Sequence, residues 1–148
     1  MSGIGKTLMA SGKIDCFLDT NILLYAASEK NRDRRKAPLA ERLVLDTLFG
    51  VSGQTLAEFV AVARRKALLA DSSIDLWLVM LGARPILHVD ETYVQAGLDC
   101  ARRFAVGYYD GALLAAAARL GAPIFYTEDL NHGQIYGSVR AVNPFLER

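Results

Sequence analysis

Residues 14–21 read Ile14-Asp15-Cys16-Phe17-Leu18-Asp19-Thr20-Asn21, and the run ILLYAAS carries the chain on to Ser28. Cys16, Phe17 and Leu18 make a short apolar run, the pattern of a strand buried on both faces of a parallel sheet. From Thr20 the pattern turns helical, so a strand passes directly into a helix, the repeating unit of an α/β domain. Asp19 stands at the junction. Thr and Asn cap a helix as well without charge, and both follow at once. Asp19 is therefore either a cap or the holder of something positive, and the local sequence leaves both open.

The same alternation continues outward. After a helix at about 20–29 comes the charged loop EKNRDRRKAP. Pro38 suits the first turn of a helix running to Phe49, with Ala40, Leu43, Val44 and Thr47/Leu48 on one face and Gly50 as its stop. A short strand at 51–53 leads into a helix from Thr55 to Leu69, and a helix at 72–82 carries Trp77 as a core residue. Strands are expected at 85–89, 123–126 and 139–142. A helix opened by Asp90-Glu91-Thr92 runs to Arg103. A second, begun by Asp110, is ended by Gly121. Strands alternating with helices predict a parallel sheet covered on both sides, with ligands bound at the loops that follow the carboxyl ends of the strands.

At 148 residues, and with no repeat or Pro/Gly-rich linker, the chain reads as one domain over 14–148 with a flexible extension at 1–13. Gly5-Lys6-Thr7 imitates the end of a phosphate-binding loop, but the Gly required five residues earlier has no position to occupy. Seventeen basic and sixteen acidic residues leave almost no net charge, so a polyanionic partner would have to be met by a local patch. Cys16 and Cys100 read as buried, reduced thiols, which suits a cytoplasmic location. No apolar stretch has the length of a membrane helix, and the first residues lack the apolar core of a signal peptide.

The question asked of Asp19 extends to other acids on the ligand edge. Glu58 lies in SGQTLAEFV, Asp110 follows Gly107-Tyr108-Tyr109, and Asp129 lies in FYTEDL after a strand. Each has a plain explanation. Thr55-x-x-Glu58 is a capping-box pattern, Asp110 can be an N-cap, and helix dipoles favour acids at helix starts. The remaining acids, Glu128 among them, read as solvated or capping. Taken together, four converging carboxylates would repel one another and take up protons unless a cation lay between them. An all-oxygen set suits Mg²⁺ or Mn²⁺ over zinc, and His88 and His132 provide no zinc constellation. Such clusters bind ions that activate water and steady a phosphate during in-line displacement. Whether the four side chains meet is a tertiary matter.

On the motifs Asp19-Thr20-Asn21, Glu58 in TLAEFVAVARRK, Asp110 in YYDGALLAAAARLGAPI, and Thr127-Glu128-Asp129 with the closing run EDLNHGQIYGSVRAVNPF, the chain resembles a PIN-domain ribonuclease. In particular it resembles a VapC-type toxin of a bacterial toxin–antitoxin pair, over about residues 14–146. The resemblance implies a three-layer α/β/α sandwich with a mainly parallel sheet of order 3-2-1-4-5. It also implies Mg²⁺-dependent (or Mn²⁺-dependent) endoribonuclease activity, a homodimer, and inhibition by a small VapB-like antitoxin. It assigns Asp19, Asp110 and Asp129 to the metal and Glu58 to a second ion or the attacking water. Thr127 becomes a supporting hydroxyl and Asn21 a polar neighbour. Gly111, where Ala is common, and Tyr109, where Trp is common, are departures.

An acidic rim repels RNA, so basic residues must attract the backbone nearby. Arg32, Arg34, Arg35 and Lys36 are the favoured RNA-binding patch, with Arg64, Arg65 and Lys66 a second, although either run could equally be solvated surface. The apolar faces of the helices at 20–29 and 37–49 read as core or as an antitoxin groove, and His132 as a loop hydrogen-bonding residue. A receiver-type signalling domain would want paired acids after the first strand and a Lys after the penultimate one, and an aspartyl-phosphate phosphatase would want D-x-D where this chain has Asp19-Thr20-Asn21. Neither pattern is present. The alternative that survives is a non-catalytic RNA- or protein-binding module retaining the fold.

Overall fold

The structure is a computed structural model that describes residues 13–146; the extension expected at 1–13 falls, except for Lys13, outside the described residues. The elements are β1 (Cys16–Leu18), α1 (Thr20–Ala27), α2 (Lys36–Asp46), β2 (Phe49–Ser52), α3 (Gly53–Arg65), α4 (Asp71–Gly82), β3 (Ile86–Leu87), α5 (Glu91–Phe104), α6 (Tyr108–Arg119), β4 (Ile124–Tyr126), β5 (Ile135–Tyr136) and β6 (Val139–Val142).

The strands form one sheet in the order β3-β2-β1-β4-β6-β5. All pairings are parallel except β5 with β6. Counting Val139–Val142 as the fifth strand, the expected order 3-2-1-4-5 is present. The addition is the edge hairpin, in which Gly137 at φ +65° makes a two-residue turn with Ser138 that reverses the chain.

β1 shows why the sheet is central. Cys16 and Leu18 pack into one apolar cluster with Phe49, Val51, Phe59 and residues of α1 to α4. Phe17 joins the opposite cluster with Phe125 and the small residues of α6. Its ring meets that of Phe125 edge to face at 5.5 Å. Helices therefore cover both faces of a sheet whose central strand is buried on each side, the α/β/α sandwich.

Boundaries on either side of the second strand differ from the expectation: β2 spans Phe49–Ser52 instead of 51–53, and α3 spans Gly53–Arg65 instead of Thr55 to Leu69. α2 ends at Asp46, not Phe49, and Gly50 lies inside β2 instead of stopping a helix. Phe49 and Val51 are fully buried in the sheet. A Cβ on Gly50 would come within 2.9 Å of both Ile14 Cδ1 and Leu120 Cδ1, so the glycine admits side chains that cross over the strand. Tertiary burial overrides the local helix-stop signal.

Candidate active site

The carboxyl ends of β1, β2 and β4 share one edge because the strands are parallel; Asp19 and Asp129 follow β1 and β4 there, and Glu58 stands in the second turn of α3, the helix that follows β2. Asp19 caps α1, accepting the Thr20 N–H at 2.7 Å, and is only 7% exposed. Its other oxygen accepts the Thr127 hydroxyl at 2.7 Å, and that hydroxyl accepts the Asp129 N–H at 3.1 Å. Asp19 N–H bonds to the Tyr126 carbonyl and Thr127 N–H to Val142, so the backbones of β1, β4 and β6 fix the same corner. Of the two readings of Asp19, the cap is present, and the same carboxylate also lies within the electrostatic reach of Asp129.

Glu58 is not the capping-box residue that Thr55-x-x-Glu58 suggests. Ser52 is the N-cap of α3, bonding the Thr55 N–H while the Thr55 side chain returns to the Ser52 N–H. The signal missed was Ser52 three residues before a second hydroxyl. Glu58 is left exposed one turn further on, held by the Gln54 amide at 3.1 Å. Asp110 is likewise no N-cap. Gly107 fills that position, and the half-buried Asp110 projects from the first turn of α6 without a hydrogen bond among the described residues.

The electrostatics join the four. Burial foremost, and then the nearby Asp129, raise the Asp19 pKa from 3.8 to about 7, against the lowering effect of the Thr127 and Thr20 hydrogen bonds. Asp110 is raised by burial, then by Asp129 and Glu58. The acids repel one another across the rim, and Asp19, the deepest, also carries the cost of burial. Among the described residues no three His, Cys, Asp or Glu side chains already stand as a metal-holding group. The donor set nevertheless fits a hard divalent cation: it is all oxygen, and a cation would keep the buried carboxylate ionised. The Thr20 hydroxyl beside it is buried without a hydrogen-bond partner among the described residues.

The favoured basic patch is largely engaged elsewhere. Arg32 bonds the carbonyls at the end of α1 and pairs with Glu41 at 2.7 Å. Arg35 donates to the Phe145 carbonyl at 2.6 Å, and Lys36 pairs with Glu128. Arg34 is exposed and makes no side-chain hydrogen bond or ion pair among the described residues. Arg64 and Arg65 occupy the last turn of α3, where Arg64 Nε lies 3.8 Å from Asp71 Oδ1. A cleft of about 670 Å³ opens between exposed Asn21 and Lys66, with Tyr25, Ser28 and Asn31 along it. His132 accepts the Asn143 N–H at 3.0 Å, the loop role expected of it. Trp77 is half-buried, packed 5.9 Å from Phe59. Cys16 and Cys100 are free thiols, both raised in pKa by burial.

Sequence reading passed over Glu128 and Tyr25, which sit beside the cluster. No local signal marks either, because residues 128–130 form a bend beyond β4, where strand alternation does not apply.

The chain belongs to the PIN-domain family, whose profile matches residues 16–137. In fold it is similar to VapC20 of Mycobacterium tuberculosis, a toxin that cleaves the sarcin–ricin loop, at 17% identity and TM-score 0.62 over 78% of this chain and 90% of that one. It is similar to a toxin–antitoxin complex from Klebsiella pneumoniae at 16% identity and TM-score 0.64, covering 88% of this chain and 98% of the other. FitAB, whose structure is bound to a DNA fragment, matches at 22% identity and TM-score 0.64 over 90% and 97%. No curated protein matches the sequence. Among the described residues no helix is long and apolar enough to cross a membrane.

Proposed function

We propose that the chain is a metal-dependent endoribonuclease that acts as the toxin of a toxin–antitoxin pair. The observation that carries this reading is Asp19: a carboxylate held in the sheet corner by two hydrogen bonds and crowded by Asp129, its pKa raised to about 7 by burial foremost and by Asp129 after it. A cap alone needs no such crowding, whereas a cation site does. The similar folds, which include an RNA-cleaving toxin and a toxin–antitoxin complex, support the same reading.

Asp19, Asp110 and Asp129 would hold Mg²⁺ or Mn²⁺, which when bound supplies water activation and charge neutralisation at the scissile phosphate. Thr127 keeps Asp19 and the Asp129 backbone in register. Glu58, exposed at the rim, accepts a proton from the attacking water or assists a second ion. Arg34 and Lys66 offer the uncommitted cations for the RNA backbone on either side. The partners that go with this reading are RNA, a VapB-like antitoxin and a second copy of the chain.

The test is cleavage of a mixed RNA pool by the purified chain with Mg²⁺ or Mn²⁺ against EDTA, alongside Asp19→Asn and Asp110→Asn. Discrete, metal-dependent fragments absent with both variants are expected. A folded wild type that leaves RNA intact and binds no divalent ion would instead mark a non-catalytic binding module.

A further inference from the structure

Lys36 opens α2, yet its ammonium lies against Glu128, 2.5 Å from Oε2, with side-chain exposures of 22% and 19% for the pair. The other Glu128 oxygen accepts the Tyr25 hydroxyl at 2.7 Å, and Lys36 Nζ also reaches that hydroxyl at 3.3 Å. The ammonium stands over the Tyr25 ring at 4.9 Å and the Phe145 ring at 5.3 Å, and those two rings meet edge to face at 5.2 Å. Arg35 closes the group by donating to the Phe145 carbonyl at 2.6 Å. These contacts bind four parts of the chain that are distant in sequence: the end of α1, the start of α2, the turn after β4 and the segment after β6.

The placement of Glu128 gives these contacts a consequence for the rim. Thr127 turns inward to Asp19, and Asp129 belongs to the cluster. Glu128, between them, is anchored to different groups, Lys36 and Tyr25. The short turn is therefore held at three consecutive residues, and the position of the Asp129 carboxylate depends on both anchors. Lys36 also neutralises an acid that would otherwise add its charge to the crowded rim.

We infer that Tyr25, Lys36 and Glu128 form a latch that positions Asp129, making them positioning residues of the acidic rim and removing Lys36 from the phosphate contacts. The inference rests on the ribonuclease reading, and it reassigns a residue that the basic run at 32–36 had placed on RNA.

The test uses the full chain as Lys36→Met, Glu128→Ala and the charge-exchanged double variant Lys36→Glu with Glu128→Lys. Three quantities are read: single-turnover cleavage at saturating RNA, Mn²⁺ affinity by electron paramagnetic resonance with the metal alone, and RNA affinity in EDTA across a salt series. Each single variant is expected to lose about 10-fold or more in cleavage rate and in Mn²⁺ affinity, the scale seen when groups supporting a metal ligand are removed. RNA affinity and its salt slope stay at wild-type values, and the exchanged pair recovers most of both losses. A folding defect in the singles would show as a lowered melting temperature, and the double variant then decides: recovery supports the latch, and loss in a folded double variant overturns it. Wild-type cleavage and Mn²⁺ binding in both singles would overturn it while leaving the ribonuclease reading intact. So would a salt slope smaller by about one in Lys36→Met, which marks a lost phosphate contact. A wild type that neither cleaves nor binds Mn²⁺ defeats that reading, and the latch falls with it.

Discussion

Thr127 donates its hydroxyl to Asp19 Oδ2 at 2.7 Å while accepting the Asp129 N–H at 3.1 Å, so one buried oxygen joins the ends of β1 and β4. Removing it leaves a carboxylate oxygen and a backbone donor without their partner. Thr127→Val should cost about 1–3 kcal/mol in stability, since Val keeps the shape but leaves both buried partners unsatisfied. It should also cut cleavage by roughly 10–100-fold. Thr127→Ser, which keeps the hydroxyl, should recover most of the activity. Urea unfolding and single-turnover cleavage check both, and an unimpaired Thr127→Val would remove the hydroxyl from the site.

The protonation of Asp19 gives a pH dependence of fixed sign. Its pKa is raised from 3.8 to about 7, so between those values the folded protein holds a proton that the unfolded chain has released. The stabilising contribution is therefore complete below pH 3.8, declines as pH rises and levels off above about 7. Asp110, raised in the same direction, adds to the trend. Glu29 and Asp33 are shifted downward and titrate outside the upper part of this window. Metal-free protein should be less stable at pH 8 than at pH 5 by on the order of 2 kcal/mol through Asp19. Asp19→Asn should flatten this dependence, and Mg²⁺ at pH 8 should raise the urea midpoint by binding the folded state. A wild-type midpoint that rises from pH 5 to pH 8 without metal would contradict the assignment.

Gly111 marks a second constraint. In isolation Ala is the better helix former by about 1 kcal/mol, which suggests that Gly111→Ala would stabilise α6. The packing says otherwise. A Cβ there would fall 2.7 Å from the Ala101 N and 2.8 Å from the Gly97 carbonyl oxygen, both backbone atoms of α5. Gly111→Ala should therefore destabilise, by about 1–3 kcal/mol for an overpacked contact, and should displace the neighbouring Asp110. Thermal unfolding and the rate of cleavage should fall together; a raised melting temperature would show that the two helices can separate at little cost.

RNA affinity should depend on the cations that the fold leaves uncommitted. Arg34→Ala and Lys66→Ala are each expected to weaken binding in EDTA across all RNA sequences and to reduce the salt slope by about one. Arg32→Ala should instead act on stability, because its guanidinium is committed to the α1 carbonyls and Glu41. Binding titrations at several salt concentrations separate these cases, and an unchanged slope in both Arg34→Ala and Lys66→Ala would move the RNA path elsewhere.

Much of this protein was legible in the sequence. The run from Cys16 to Asn21 specifies a strand buried on two faces and a helix behind it, because period and polarity are local properties. The alternation of such units fixes a parallel sheet and puts the strand ends on one edge, which brings Asp19, Glu58 and Asp129 into question. Other features depend on contacts between residues far apart in the chain. Gly50 reads as a helix stop, but side chains from both Ile14 and Leu120 cross it within a strand. Thr55-x-x-Glu58 reads as a capping box, but Ser52 takes the cap. Lys36 reads as part of a basic surface, but Glu128, 92 residues away, claims it. Charge and hydrogen-bonding capacity are written in the sequence, whereas the partner that satisfies each group is chosen only when the sheet brings distant ends of the chain to the same corner.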